Sequence, residues 1–353
     1  MIWNTWCILA QSAAGSEVQV RMSLPRFHEV LGPYLGVFFA AFAVAFVATP
    51  IMHSFAVRYG IVDWPDLRRK KHVEPVAYLG GVAIFLGWLM GVFASFYITP
   101  HNQEMLSGQS LSSVSFPESI VLGAMIIVLV GLFDDVYGIS PRVKIGGQLL
   151  AAACLVNLGV GTELVDASLG EVGIDLPYRI DYVLGAAAVT MFVVGGCNAV
   201  NLMDGLDGLA SGIVAIACLG FLYLAIHAAN HIVDVSEMEL LRDPVRIVMV
   251  LAVLGAIMGF LPYNFNPANI FMGDAGSLLL GYLCVSTILL FSHVSRLGPL
   301  FVLAAIIVVA LPITDTALAI FRRAMRGQPI FEGDSEHLHH QLLRLYKRTR
   351  VGP

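Results

Sequence analysis

Nine apolar runs divide this sequence, near residues 35–56, 79–98, 119–133, 145–161, 183–199, 206–227, 246–261, 276–292 and 298–320. Each approaches the roughly 20 residues that an α-helix needs to cross a hydrocarbon core of about 30 Å. Within hydrocarbon every backbone N–H and C=O must find a partner inside the protein, so such runs fold as helices. The expected fold class is an all-α polytopic membrane protein with about nine transmembrane helices. Composition agrees, because 58% of the 353 residues are hydrophobic and 13% charged, with mean hydropathy +0.80. A soluble domain is about half apolar and a quarter charged. The third, fourth and fifth runs are short for a full span, so their helices should continue into the polar residues beside them.

The basic residues then orient the chain. If alternate loops share a side, 14 of the 20 Lys and Arg fall on one face, among them Arg58, Arg68, Arg69, Lys70, Lys71, Arg142, Lys144, Arg322, Arg323 and Arg326. The other face holds Arg21, Arg26, Arg179, Arg242, Arg246 and Arg296. The richer side is expected to be cytoplasmic, with the N-terminus outside and the C-terminus inside. A formal net charge of -5 gives no reason to expect a nucleic-acid partner. The five cysteines form no CxxC pair and mostly lie in apolar runs, so they read as packing residues. The first twenty residues lack a basic n-region, which argues against a cleaved signal peptide, and Met22 is a second candidate start.

Polar residues are not spread evenly between the two faces. On the outward side, 161–180 alternates apolar and polar residues between glycines and reads as a small exposed hairpin. The inward loops carry DWPDLRRKKHVEP (63–75), DDVYGISPRVK (134–144), NAVNLMDGLDG (198–208), PYNFNPANIFMGDAGS (262–277) and FRRAMRGQPIFEGDSEHLHH (321–340). The densest clusters of Asp, Asn and His therefore lie on the face that the basic residues choose. Five separate loops sharing one side are what a single active site there would require.

Asp134 and Asp135 end an apolar run, and ionisable groups at that depth are costly and usually functional. A helix C-terminus also disfavours negative charge. Asn201, Asp204 and Asp207 are spaced by three, so neighbours would share a helix face, and Gly205 and Gly208 allow a bend. Carboxylate and amide oxygens suit Mg²⁺, which keeps waters and uses few protein ligands beside substrate phosphates. The ligand spacing of an EF-hand calcium loop is absent. In NPANIFMGDAGS, the start of the next helix offers backbone amides to an anion, although Asn-Pro and Gly-Asp also occur in plain turns. His337, His339 and His340 follow Arg322, Arg323 and Arg326; clustered histidines can bind zinc, but the combination suits a diphosphate. Asp315 sits inside the last run, where a helix–helix hydrogen bond would account for it.

Acids, amides, a Mg²⁺ site and a basic rim at a membrane surface describe phosphoryl chemistry on a lipid. The motifs Asp63, Pro65, Arg69, Lys70, His72, Gly80 and Gly81, then FDD, NAVNLMDGLDGLASG, NPANIFMGDAGS and HLHH, resemble the polyprenyl-phosphate N-acetylhexosamine-1-phosphate transferase family. This is glycosyltransferase family 4, and the resemblance runs from about residue 55 to 343 in motif order. It implies attack by a polyprenyl phosphate on the sugar-linked phosphorus of a UDP-sugar, releasing UMP, with Mg²⁺ required and Mn²⁺ as a substitute. It also implies a bacterial inner membrane location with the site on the cytoplasmic face, and leaves a homodimer open.

Carried over by position, Asn201 and Asp274 would hold the metal, while Asp134 and Asp135 face the lipid phosphate. Asp204 and Asp207 would lie near the uridine diphosphate, and His337, His339 and His340 would complete the catalytic set. Lys70, His72, Lys144, Asn198, Asn269 and Arg323 would bind substrate or phosphate. HxHH resembles the branch that uses UDP-N-acetylglucosamine, whereas the muramoyl-pentapeptide branch typically shows three consecutive histidines. The chain departs from the pattern in RRKKH, which has one extra basic residue, and in Ser335, where Arg is common. Relatives also usually continue into further membrane helices beyond the equivalent of Pro353. The implied division is an N-terminal extension (1–33), a transmembrane catalytic domain (34–320), and a cytoplasmic loop and tail (321–353). A secondary transporter is the rival of another class, but it would place its acids near the midplane between repeated halves. A membrane zinc hydrolase would need an HExxH pair, which is absent.

Overall fold

The computed structural model describes residues 30–64, 75–98, 117–170, 173–231, 237–293 and 298–325. A 3-10 turn, Gly32–Tyr34, leads into α1 (Leu35–Tyr59), followed by β1 (Val62–Asp63), β2 (Val76–Ala77), α2 (Gly80–Ile98), α3 (Glu118–Tyr137) and α4 (Pro141–Asn157). Next come α5 (Leu164–Gly170), α6 (Tyr178–Met203), α7 (Leu209–His231), α8 (Glu237–Asn264) and α9 (Gly273–Leu290). A second 3-10 turn, Phe291–His293, precedes α10 (Gly298–Val308) and α11 (Ala310–Met325). The chain is an all-α polytopic bundle, and each of the nine predicted runs falls on a helix. Among the described residues seven helices are long and apolar enough to cross a membrane, and the bent pair α10–α11 would make an eighth. The remaining run is α4, whose 17 residues reach roughly 26 Å at 1.5 Å per residue.

The three short runs extend as expected. α3 reaches from Glu118 through Tyr137, α4 begins at Pro141, and α6 runs from Tyr178 to Met203. Local signals set these ends. Proline at the first position of α4 loses no hydrogen bond, because a first-turn N–H has no helical partner. Gly138, at φ 64°, closes α3 in the left-handed conformation that glycine adopts most easily.

Two expectations are corrected. The stretch 161–180 is not a hairpin: it holds the short helix α5, and among its described residues there is no strand. Its alternation places Leu164 inward, while Ser168 donates to the Leu164 carbonyl at 2.6 Å, a helical i−4 contact. The run 298–320 is not one helix either, since α10 and α11 meet at 71°. Pro312, in the first turn of α11, has no N–H for the Val308 carbonyl, and the ladder breaks there.

At the centre of the bundle stands α9, in which every residue except Asp274 is buried. It packs against α2, α3 and α6. The approach is close because Gly81 and Gly131 face its first turn without a side chain; a Cβ on either would overlap backbone atoms of Ala275 or Gly276. Small residues at helix crossings are how membrane helices gain van der Waals contact. The periphery is the reverse of a soluble surface: Phe39, Val47, Ile216, Leu303 and Ile307 are all more than half exposed. Such side chains cost little against lipid tails, which are equally apolar.

Candidate active site

Of the five loops that the sequence assigns to one face, 134–144, 198–208 and 262–277 converge, joined by the described ends of 63–75. The small ribbon fixes the first of them, with Val62 paired to Ala77 and Asp63 to Val76. Ala77 continues beside Ile270, and Phe271 donates to the Ala77 carbonyl at 2.8 Å. Gly80 and Gly81 in turn donate to the carbonyls of Phe271 and Met272 at 3.0 and 2.9 Å. Both described ends of the 63–75 loop are thus stitched to the strand-like segment that delivers Asp274. Beside Asp63, the half-buried Tyr78 phenol is held well above its ordinary pKa, first by desolvation and then by that carboxylate.

The centre of the site is a four-residue constellation drawn from four helices. Asp134, in the last turn of α3, accepts the Ile139 N–H at 2.8 Å on one oxygen. Its other oxygen faces the ammonium of Lys144, in the first turn of α4. The same ammonium faces Asp274, in the first turn of α9. Asn201, near the end of α6, donates to the second oxygen of Asp274 at 2.9 Å and to the Ser277 hydroxyl oxygen at 2.9 Å. The Ser277 hydroxyl donates to the Gly273 carbonyl at 2.9 Å. Asp134, Lys144, Asn201 and Asp274 are therefore brought together as the sequence suggested.

Asp135 corrects its assignment. Its carboxylate does not face the open site but accepts the N–H groups of Asp274 at 2.7 Å and Ala275 at 3.1 Å. The start of α9 carries unpaired donors and a partial positive charge, which an anion satisfies. The anion expected at that helix start is one of the protein's own carboxylates. Gly273, at φ 67°, makes room for it, since a Cβ there would overlap the Asp135 carboxylate.

The DGLDG stretch also departs from expectation. Helix α6 ends at Met203, so Asn201, Asp204 and Asp207 do not share a helix face. Asp204 terminates the helix, its N–H bonded to the Asn201 carbonyl at 3.2 Å. Burial, followed by the charges of Asp274, Asp135 and Asp207, pushes its carboxyl up to about 7. Asp207 braces the next loop, accepting from the Asn266 side chain at 2.8 Å and the Ala268 N–H at 3.1 Å. Buried Asn264 ties the same loops, accepting from the Gly208 N–H and the Ser211 hydroxyl and donating to the Ile270 carbonyl.

Three proposed substrate ligands make no hydrogen bond to the four central residues. Asn198 donates to Gln148 at 2.9 Å and to the Val194 carbonyl at 2.7 Å, bracing α6 against α4. Asn269 is exposed on its loop. Arg323 is buried in the last turn of α11, which packs along α6, and its Nε has no hydrogen-bond partner among the described residues. Lys70, His72, His337, His339 and His340 lie outside the described residues. Ser277 and Gln148 escaped the sequence reading. Ser277 is three residues from Asp274 on one helix face, and Gln148 is an amide inside an apolar run; both were readable signals.

Known proteins can now be set beside this geometry. Residues 118–293 match the model of glycosyl transferase family 4. A probable undecaprenyl-phosphate N-acetylglucosaminyl 1-phosphate transferase of Bacillus subtilis is 33% identical over 310 residues, covering 87% of this chain and 76% of that protein. The chain belongs to glycosyl transferase family 4. A decaprenyl-phosphate N-acetylglucosaminephosphotransferase of Mycolicibacterium smegmatis is also 33% identical, covering 86% of this chain and 73% of its own length. A phospho-N-acetylmuramoyl-pentapeptide-transferase of Kocuria rhizophila is 30% identical, covering 84% and 83%. The matched family segment contains all four residues of the constellation, together with the capping Asp135.

Proposed function

We propose that this family member transfers N-acetylglucosamine-1-phosphate from UDP-N-acetylglucosamine to a polyprenyl phosphate, releasing UMP, on the cytoplasmic face of a bacterial inner membrane. The observation that carries the reading is the meeting of Asp134, Lys144, Asn201 and Asp274 from four helices at one end of the bundle. Acids at helix ends suit a substrate whose phosphate rides at the membrane surface. They do not suit a transporter, whose site lies near the midplane. The names of the two relatives at 33% identity support the sugar, as does the HLHH spacing. The product would serve as the first lipid-linked sugar of a cell-envelope polysaccharide.

Mg²⁺, or Mn²⁺ in its place, fits these residues. Two carboxylates from separate helices already bracket a cation, and Asn201, whose nitrogen is engaged with Asp274 and Ser277, leaves its amide oxygen for an ion. Among the described residues no three His, Cys, Asp or Glu side chains group as a metal cage, which accords with an ion that takes its other ligands from water and substrate phosphates. When bound, it would neutralise diphosphate charge. The chain's own part is positioning: Asp274 and Asn201 would hold the ion with Asp134 beside it, and the Lys144 ammonium, tethered next to them, would be offered to a phosphate oxygen. A phosphate monoester with second pKa near 6 is already mostly ionised at neutral pH. No residue is required to deprotonate it, and orientation with charge stabilisation is sufficient.

The test is UMP release by the full chain with Mg²⁺, undecaprenyl phosphate and either UDP-N-acetylglucosamine or UDP-N-acetylmuramoyl-pentapeptide. Turnover with the first sugar alone is expected, and turnover with the second alone would overturn the sugar assignment. Asp134→Asn and Asp274→Asn should each lower UMP release by at least about a hundredfold while the helical circular dichroism is unchanged.

A further inference from the structure

We propose that Lys144 is a built-in stand-in for the divalent cation: its ammonium holds the metal position while the site is empty, and gives it up when the ion arrives. The inference rests on the metal reading above. Asp134 and Asp274 come from different helices, α3 and α9, and both turn an oxygen toward the one ammonium. Neither carboxylate is free to swing away. Asp134 is held by the Ile139 N–H at 2.8 Å, and Asp274 by Asn201 at 2.9 Å, with its own backbone N–H fixed by Asp135 at 2.7 Å. Two carboxylates pinned this way repel unless a cation or a shared proton offsets their charge.

The side chain chosen for the task is suited to leaving. Lysine is a point charge on a flexible stem, whereas arginine would fork onto carboxylates with a fixed geometry. The Lys144, Asp134 and Asp274 side chains remain 26%, 11% and 25% exposed, so the pair is reachable from solvent. Three consequences follow from exchange at this point. The empty site keeps its shape; the apparent affinity for a divalent ion is lowered by the cost of displacing the ammonium; and the displaced ammonium stays tethered beside the ion, available to a phosphate oxygen. Metal loading and phosphate capture are thereby coupled through one side chain.

The experiment measures Mn²⁺ binding by electron paramagnetic resonance on the full chain in detergent, without substrates, for wild type, Lys144→Met and Lys144→Arg. Removing the competing charge should tighten Mn²⁺ binding on the order of tenfold in Lys144→Met, and the arginine fork should weaken it below wild type. The Met variant should also melt lower than wild type in chelator and recover with Mn²⁺. The arginine variant retains a cation and so keeps the test open if Lys144→Met does not fold in chelator. Equal or weaker Mn²⁺ binding in Lys144→Met, or tighter binding in Lys144→Arg, overturns the stand-in. Absence of Mn²⁺ binding in all three overturns it together with the metal assignment. Binding in the expected order without UMP release would overturn only the transferase reading.

Discussion

Adjacent residues with the same side chain do different work here. Asp134 faces the lysine and the site, whereas Asp135 closes the start of α9 and aims Asp274. Asp135→Ala should therefore lower stability by about 1–2 kcal/mol, the ordinary value of a helix cap, and reduce UMP release through misplacement of Asp274. Asp135→Asn, whose carbonyl still accepts one N–H, should recover part of both in melting and turnover measurements. Asp204 gives a pH prediction. Its folded value of about 7 stands above the 3.8 of an ordinary aspartate, so between those pH values the folded state holds a proton that the unfolded chain has released. Stability in chelator should then fall as pH rises from about 4 to about 7. Asp204→Asn should flatten that slope in melts run from pH 5 to 8; an unchanged slope would remove Asp204 as its source. None of this division was legible from FDD or DGLDG, because a run of letters does not say which way each carboxylate points.

Among the elements, α9 governs the geometry. Its first turn must pass within backbone contact of α2 and α3, and Gly81 and Gly131 permit it. Gly131→Ala would push Ala275 and its neighbour Asp274 away from Asp134, so it should lower the melting temperature and reduce UMP release by about tenfold or more. Gly146→Ala is the matched control: that glycine lies in α4 with open space around its missing side chain, and alanine favours a helix. It should match or slightly exceed wild-type stability with activity retained. Helix positions were readable because apolar length is a one-dimensional signal. The bend at α10–α11 was not, since apolar residues on both sides of Pro312 hide a break in a count of hydropathy. The 161–180 stretch was misread for a related reason: alternation over so few residues fits a turn of helix as well as a strand.

For the whole molecule, burial runs opposite to a soluble protein, with apolar side chains exposed around the rim and polar side chains gathered at one end. Tyr137, at the end of α3, and Tyr178, at the start of α6, are 74% and 80% exposed and border connections that the basic-residue count assigns to opposite sides. In a background with the native cysteines replaced, Tyr178→Cys should react with a membrane-impermeant maleimide on intact cells, and Tyr137→Cys only after permeabilisation. The reverse pattern would invert the orientation and move the site outside.

The sequence by itself determined the helical membrane architecture, the clustering of polar motifs into alternate loops, and the family. Those features depend on residue type and spacing along the chain, which the string of letters carries in full. Only the tertiary structure decided which acids face a common cation, which one caps a helix, and which amides brace loops. Those roles depend on directions around four helices that meet only after packing, with Lys144 and Asp274 brought together across 130 residues of sequence.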